Sequence, residues 1–372
     1  MSVRLDCRFR PQRILIVQSG SARELVKTIP LINALRFRFP RAEIAWFSEP
    51  EIVELLNNYS IVDRIIIAKR DWYKKWSGLK LITRHLRAFA PDLCFDLHGT
   101  FLSGMVTKLS KCARRIGFSK GHASFSNTFF SNIRMEIDAK CEWEKSLQLL
   151  EAVGIAGCST DYELPEISNE TKTFCEIARD FDIESTPYAI VGAGLQSGWT
   201  PGCFADVAEH LNQTYNMPVL VVWKNESERL FAESVVQESG DAVFLAPPLS
   251  FLQFMAVTRR ASLFVGGETD FLYLATAADT PTIGVSAPVS FRSNKTGPIR
   301  IPSPETGRRP MPHTLPMMQN LRIDEYAHDV IQVCHACDLL LQPLSLLQPL
   351  SYEMPEHILY EPEPMLYEYV GA

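Results

Sequence analysis

Between Ala261 and Pro288 the chain reads ASLFVGGETDFLYLATAADTPTIGVSAP, two apolar runs separated by a glycine pair and a small-residue stretch. The pattern predicts a strand at Leu263–Val265, a turn at Gly266 and Gly267, a helix over about Thr269–Ala278 and a strand at Thr282–Val285. Such a unit belongs to a parallel sheet and aims the free N–H groups of a helix N-terminus beyond the sheet's carboxyl edge, where an anion can bind. Ala275, Thr276, Ala277 and Ala278 let that helix lie close to the sheet. A glycine pair after a strand also serves simply to make a tight turn, so spacing alone leaves both uses open.

The same alternation runs through the chain. Ile14–Val17, Glu43–Phe47, Arg64–Ile67 and Leu93–Asp96 read as strands, with helical spacing at Glu24–Arg38, Pro50–Asn57 and Leu79–Phe89. After a helix at Glu142–Ala152 and a linker near Cys158–Asn169 the pattern restarts. Strands at Tyr188–Gly192, Val219–Val222 and Ala242–Leu245 alternate with helices at Cys203–Gln213, Ser227–Ser239 and Phe251–Arg260. Short connections and strict alternation predict an α/β protein with parallel sheets. We expect three segments: 1–165, 166–341 closed by a helix at Asp324–Leu341, and a tail at 342–372. The tail repeats Leu340-Leu-Gln-Pro-Leu-Ser345 as Leu346–Ser351 and continues acidic and Pro-rich. Prolines six residues apart exclude a regular helix there, leaving an extended arm on a surface or disorder.

At 372 residues the chain is long enough for two separate cores. The net charge of −6 argues against general nucleic-acid binding. No run approaches the roughly 20 apolar residues of a membrane span, and the basic start MSVRLDCRFRPQR lacks the apolar stretch of a signal peptide. A cytoplasmic location is therefore expected, and nine scattered cysteines fit free thiols in a reducing compartment. Cys334-His-Ala-Cys337 falls in an amphipathic helix with no second pair to complete a zinc set, so no metal is expected.

Five collinear segments carry a resemblance to glycosyltransferase family 9, the ADP-heptose:lipopolysaccharide heptosyltransferases. They are Arg13–Val17 with Ser19–Pro30, Asp96-Leu-His-Gly99, Arg115-Ile-Gly-Phe118, Leu249–Arg260 with Ser250 ahead of its helix, and the 261–288 unit. The resemblance spans about residues 12–340 and implies the GT-B fold, two Rossmann-like domains with parallel sheets facing a central cleft. It implies inverting, metal-independent sugar transfer without a cofactor. The donor would be a nucleotide sugar, ADP-heptose being expected, and the acceptor a glycan or glycolipid, with the inner-membrane surface open as a partner.

Residue by residue, Glu24 stands where the family has its aspartate base, and Arg23 where it has a glycine. Glu24 also suits the first turn of a helix as a plain dipole-favoured acid. Ser197 replaces the family's lysine two residues before Trp199, bringing a hydroxyl but no charge. Glu268-Thr269-Asp270 replaces Asp-Thr-Gly, and Tyr273 replaces a histidine. Asp270 sets a carboxylate where a diphosphate should approach, which is unfavourable unless it caps the helix or meets a cation; Arg292 and Lys295 are candidates for that cation. The resemblance places Gly194, Trp199, Gly267 and the ribose-facing Glu226 in the donor site. It places Ser21, Asp96, His98, Gly99 and the basic-aromatic loop of Lys69, Arg70 and Lys74 on the acceptor side. The altered positions keep a second possibility open: a catalytically silent relative that binds a glycan or a partner protein.

Overall fold

A computed structural model describes residues 9–57, 59–69, 71–119, 129–138, 142–155, 170–181, 183–285, 330–341 and 366–370. These fall into two compact units, the residues up to 155 with 366–370, and 170–285 with 330–341.

The first unit runs β1 (Arg13–Val17), α1 (Ala22–Arg38), β2 (Glu43–Ser48), α2 (Val53–Asn57), β3 (Arg64–Ala68), α3 (Trp76–Phe89), β4 (Leu93–Asp96), α4 (Phe101–Leu109), β5 (Arg114–Phe118), β6 (Ile133–Met135) and α5 (Glu142–Gln148). The second runs α6 (Glu170–Ala178), β7 (Ala189–Gly192), α7 (Pro201–Tyr215), β8 (Val219–Val222), α8 (Glu226–Glu238), β9 (Val243–Leu245), α9 (Phe251–Thr258), β10 (Leu263–Gly267), α10 (Asp270–Ala277), β11 (Thr282–Val285) and α11 (Val330–Leu341). A last strand, β12 (Leu366–Val370), returns to the first sheet.

Both sheets are wholly parallel. The first has the order β12-β3-β2-β1-β4-β5-β6 and the second β11-β10-β7-β8-β9. A parallel sheet is covered on both faces, and Ile14–Val17 and Ala189–Val191 have no exposed surface, as that demands. In each sheet the chain steps outward one way from a central strand, then returns to fill the other side. The reversal falls between β1 and β4 in the first sheet and between β7 and β10 in the second. Crevices open at the carboxyl ends of strands where order reverses, so this topology locates one candidate site in each unit.

The glycine pair departs from the sequence expectation. Gly266 and Gly267 are the last residues of β10, paired in register with Gly284 and Val285 of β11, and they make no turn. The helix that follows starts at Asp270, with Thr269 as its N-cap residue. The tail ends in a strand that pairs with β3 from Leu366↔Arg64 to Val370↔Ala68, while 342–365 and 324–329 lie outside the described residues.

α11 lays Val333, Ala336, Cys337 and Leu341 into the second unit's core. Burial pushes the Cys334 thiol up to about 11 and the Cys337 thiol higher still, so both are inert packing groups at neutral pH. Beside them Asp338 accepts hydrogen bonds from Tyr215 (2.7 Å) and His210 (2.8 Å) on α7. Partial burial opposes its ionisation, but those two donors outweigh it and hold the carboxyl below its usual value. A depressed carboxyl stabilises the fold above its unfolded pKa, and that contribution is lost as pH falls through the folded one. Asp338→Ala is therefore expected to cost about 1 kcal/mol at pH 7 and less near pH 3, read from denaturant melts at the two pH values. An equal cost at both would mean that ionisation of Asp338 contributes nothing to the fold.

Candidate functional site

The first crevice is built by the loop after β1 and the loop after β4. Ser21 is the N-cap residue of α1, which places Glu24 in the first helical turn. Glu24 Oε1 accepts from Lys27 Nζ at 3.1 Å, and Oε2 accepts from Gln18 Nε2 at 3.3 Å. Two donors, one of them charged, thus hold the carboxylate in a defined orientation. A Cβ on Gly20 would lie 3.3 Å from Glu24 Cγ and 3.9 Å from His98 Cε1, so the two side chains converge on the same glycine, one from α1 and one from the loop after β4.

Asp96 is wholly buried at the end of β4. Its Oδ1 accepts from the backbone N–H groups of His98 (3.3 Å) and Gly99 (3.0 Å). Gly99 has φ of 68°, a left-handed conformation that glycine adopts without strain. Asp96 and Gly99 thus shape the turn, and His98 is the group the turn presents. The Thr100–Ser103 capping box starts α4 immediately afterwards.

In the basic-aromatic loop Lys69 and Lys74 are exposed, and Arg70 lies outside the described residues. Lys74 Nζ pairs with Asp71 at 2.9 Å. The two tryptophans part company. Trp72 is buried edge-on to Phe47, while Trp76 is 81% exposed at the start of α3.

The second crevice lies at the ends of β7 and β10. A Cβ on Gly194 would fall 2.8 Å from Gly267 Cα, so the two backbones touch here and both positions exclude a side chain. Ser197 is buried; its hydroxyl donates to the Gly194 carbonyl at 2.6 Å and accepts from the Trp199 N–H at 3.2 Å. Trp199 is itself buried, its ring 5.1 Å from that of Phe204. These two residues build the loop that follows β7.

Glu226 opens α8, with Asn225 as its N-cap. Arg229 grips both its carboxylate oxygens, Nε at 3.1 and 3.0 Å and Nη2 at 2.6 Å to Oε1, which holds the carboxyl below its usual value. Glu268 Oε1 accepts from the Tyr273 hydroxyl at 3.2 Å. The Thr269 hydroxyl is buried at the start of α10 and has no hydrogen-bond partner among the described residues; it does not cap the helix. Asp270 meets a cation, Lys224. Its Oδ2 lies 2.5 Å from Lys224 Nζ, whereas Arg292 and Lys295 are outside the described residues.

A family model described as "Glycosyltransferase family 9 (heptosyltransferase)" matches residues 80–300. The chain belongs to glycosyltransferase family 9. Lipopolysaccharide heptosyltransferase 1 of Pseudomonas aeruginosa is 23% identical over 290 residues, covering 75% of this chain and 79% of that protein. Among solved structures, the E. coli ADP-heptose heptosyltransferase II aligns with a TM-score of 0.66 at 14% identity, over 90% of this chain and 99% of that one. The E. coli heptosyltransferase WaaC with ADP-2-deoxy-2-fluoro heptose aligns at 0.65 and 17%, over 89% and 99%. With two parallel sheets and this likeness, the family 9 chain has the GT-B fold class.

Within this family 9 member, Lys224 and Gln18 are the site residues that sequence reasoning passed over, and Lys27 was legible only as an ordinary partner within its helix. Lys224 stands in the Trp223–Glu226 run, two residues ahead of Glu226, and nothing local marks it. Only the order β10-β7-β8 brings it to Asp270, 46 positions away. Gln18 and Lys27 are marked by spacing alone, being six and three residues from Glu24.

Proposed function

We propose that this family 9 glycosyltransferase moves a sugar, heptose by expectation, from a nucleotide donor to a hydroxyl of a glycan or glycolipid acceptor, with inversion. The observation that carries the reading is Glu24, a carboxylate held by Gln18 and Lys27 beside His98 at the first crevice. In this reading Glu24 takes the acceptor hydroxyl proton as the oxygen attacks the anomeric carbon and the bond to the diphosphate breaks. Ser21 and His98 flank the acceptor, with Lys69 and Lys74 facing an anionic part of it.

The second unit holds the donor. The N-terminus of α10, with the unpartnered Thr269 hydroxyl, receives the diphosphate. Glu226 faces the ribose, and exchanges its Arg229 partner for sugar hydroxyls. Two relatives support the choice of ADP-heptose through their names alone, one described as an ADP-heptose enzyme and one solved with a fluorinated ADP-heptose. Charge stabilisation by the chain's own groups makes the proposed reaction independent of metal, and it would run at the cytoplasmic face of the membrane carrying the acceptor. Among the described residues no helix is long and apolar enough to cross a membrane.

A second reading, a silent relative that binds without turnover, is favoured by the engaged Ser197 hydroxyl and the carboxylate of Asp270 at the α10 N-terminus. Calorimetric titration with ADP, UDP, GDP and ADP-heptose separates the two. The transferase reading expects selective binding of one nucleotide, and tighter binding of its sugar conjugate. A folded protein that ignores all four supports the silent relative.

A further inference from the structure

The loop from Gly194 to Pro201 contains no charged residue, and the Ser197 and Thr200 hydroxyls are engaged with the Gly194 carbonyl and the Cys203 N–H. A diphosphate leaving at α10 would therefore find N–H groups and Thr269 there, but no cation from that loop. Lys224 brings one from the next strand. We propose that Lys224, occupied by Asp270 until the ligand arrives, neutralises the departing diphosphate in this chain and does the work of the lysine missing at position 197. The inference rests on reading the second unit as a nucleotide-sugar site.

Lys224 is built to be aimed. Before it, the Trp223 indole N–H donates to the Ala246 carbonyl at 2.9 Å and fixes the end of β8. After it, Asn225 caps α8 by accepting from the Glu228 N–H at 3.0 Å, and Glu228 Oε2 accepts from the Lys224 N–H at 2.8 Å. The backbone is thus pinned on both sides of the residue. Its ammonium sits 4.5 Å from the centroid of the buried Phe251 ring and 2.5 Å from Asp270 Oδ2. An aromatic face strengthens the hold on a partly desolvated cation. An ammonium carries three donors, so Asp270 and the ring leave a further N–H for a phosphate oxygen.

Asp270 then acquires a purpose. Its side chain is only 10% exposed, in the first turn of α10, where the helix dipole favours a negative charge. It stands in for the anion before the ligand arrives, and shares or yields Lys224 when the diphosphate enters. In the transfer step the bond between the anomeric carbon and the diphosphate breaks as the acceptor oxygen bonds that carbon. The acceptor proton passes to Glu24, and Lys224 stays protonated opposite the new charge.

This assigns opposite signs to the two halves of one ion pair. Lys224→Met should weaken ADP, or whichever nucleoside diphosphate binds the native protein, by about ten- to a hundredfold, the worth of one charge-assisted hydrogen bond. Asp270→Asn should tighten it. Lys224→Arg keeps the charge and should retain most of the affinity, which guards against a folding artefact in the Met variant. AMP, with a single phosphate, should respond several-fold less than the diphosphate to Lys224→Met.

All four proteins are titrated calorimetrically, after thermal melts confirm that each is folded. Equal weakening by Lys224→Met and Asp270→Asn would make the pair a structural latch and overturn the proposal. So would binding unchanged by Lys224→Met, with nucleotide binding by the native chain still standing. Binding by Asp270→Asn alone supports it, the carboxylate then withholding Lys224 from the ligand. No binding by the native protein or by Asp270→Asn overturns both this inference and the nucleotide-sugar reading beneath it.

Discussion

Glu24→Ala is expected to lower sugar transfer by about 10²- to 10⁴-fold, the usual worth of a positioned general base, and to leave nucleotide affinity unchanged. The separation follows from placement. Glu24 lies in the first unit, in the first turn of α1, whereas the groups assigned to the nucleotide all follow β7, β8 and β10 in the second. Glu24→Gln keeps the shape and loses only the proton acceptor, so it should match the Ala variant. Glu24→Asp should fall between the native protein and these two variants, because a side chain one methylene shorter must reach the same proton while losing its fit to Gln18 and Lys27. The measurement is single-turnover transfer beside a nucleotide titration. Transfer within tenfold of native by Glu24→Gln would take Glu24 out of the mechanism.

The second large effect is on the scaffold. Gly194→Ala should cost about 1–3 kcal/mol, the range for a group forced into a filled space. Gly194 has φ of −105° and ψ of 99°, which alanine adopts freely, so backbone strain contributes nothing. The cost is the contact. The new methyl would lie 2.8 Å from Gly267 Cα and 3.1 Å from Gly267 N, both backbone atoms of β10 that have no rotamer to change. Separating the strand ends to admit it would shift the loop carrying Ser197 and the start of α10, so nucleotide affinity should fall together with stability. Each kcal/mol should appear as roughly 2–4 °C in the melting of a unit this size. Gly240→Ala is the control, since a Cβ there meets nothing within 4 Å, and it should change stability by no more than about 0.5 kcal/mol. Identical melting of the two variants would mean that the β7–β10 approach is not as close as described.

Much of the architecture was legible because burial on both faces of a parallel strand leaves a mark that needs no partner to interpret. Ile14–Val17, Val219–Val222 and Leu263–Val265 are unbroken apolar runs, and each is a strand. The misreadings are instructive. Gly266 and Gly267 looked like a turn because glycine usually marks one, whereas here they thin the strand, Gly267 against the backbone of Gly194 and Gly266 against Gly192 and the Phe264 ring. Residues Leu366–Val370 were legible only as part of an extended arm or a disordered tail, and their partner β3 lies some 300 positions earlier in the chain.

For the site, the sequence alone established which residue types stand after each strand: an acid at 24, a histidine at 98, and Glu268-Thr269-Asp270 ahead of a helix. Motif order alone also carried the resemblance to the family. What each side chain does was decided by the tertiary structure. Ser197 and Trp199 turn inward to build a loop, Asp96 binds the backbone of its own turn, and Asp270 finds Lys224 from across β7. A residue's chemistry travels with its name, but a partner such as Lys224 for Asp270 is set by which strand ends the sheet order places together. That order arises from packing between distant segments, and no local run of residues encodes it.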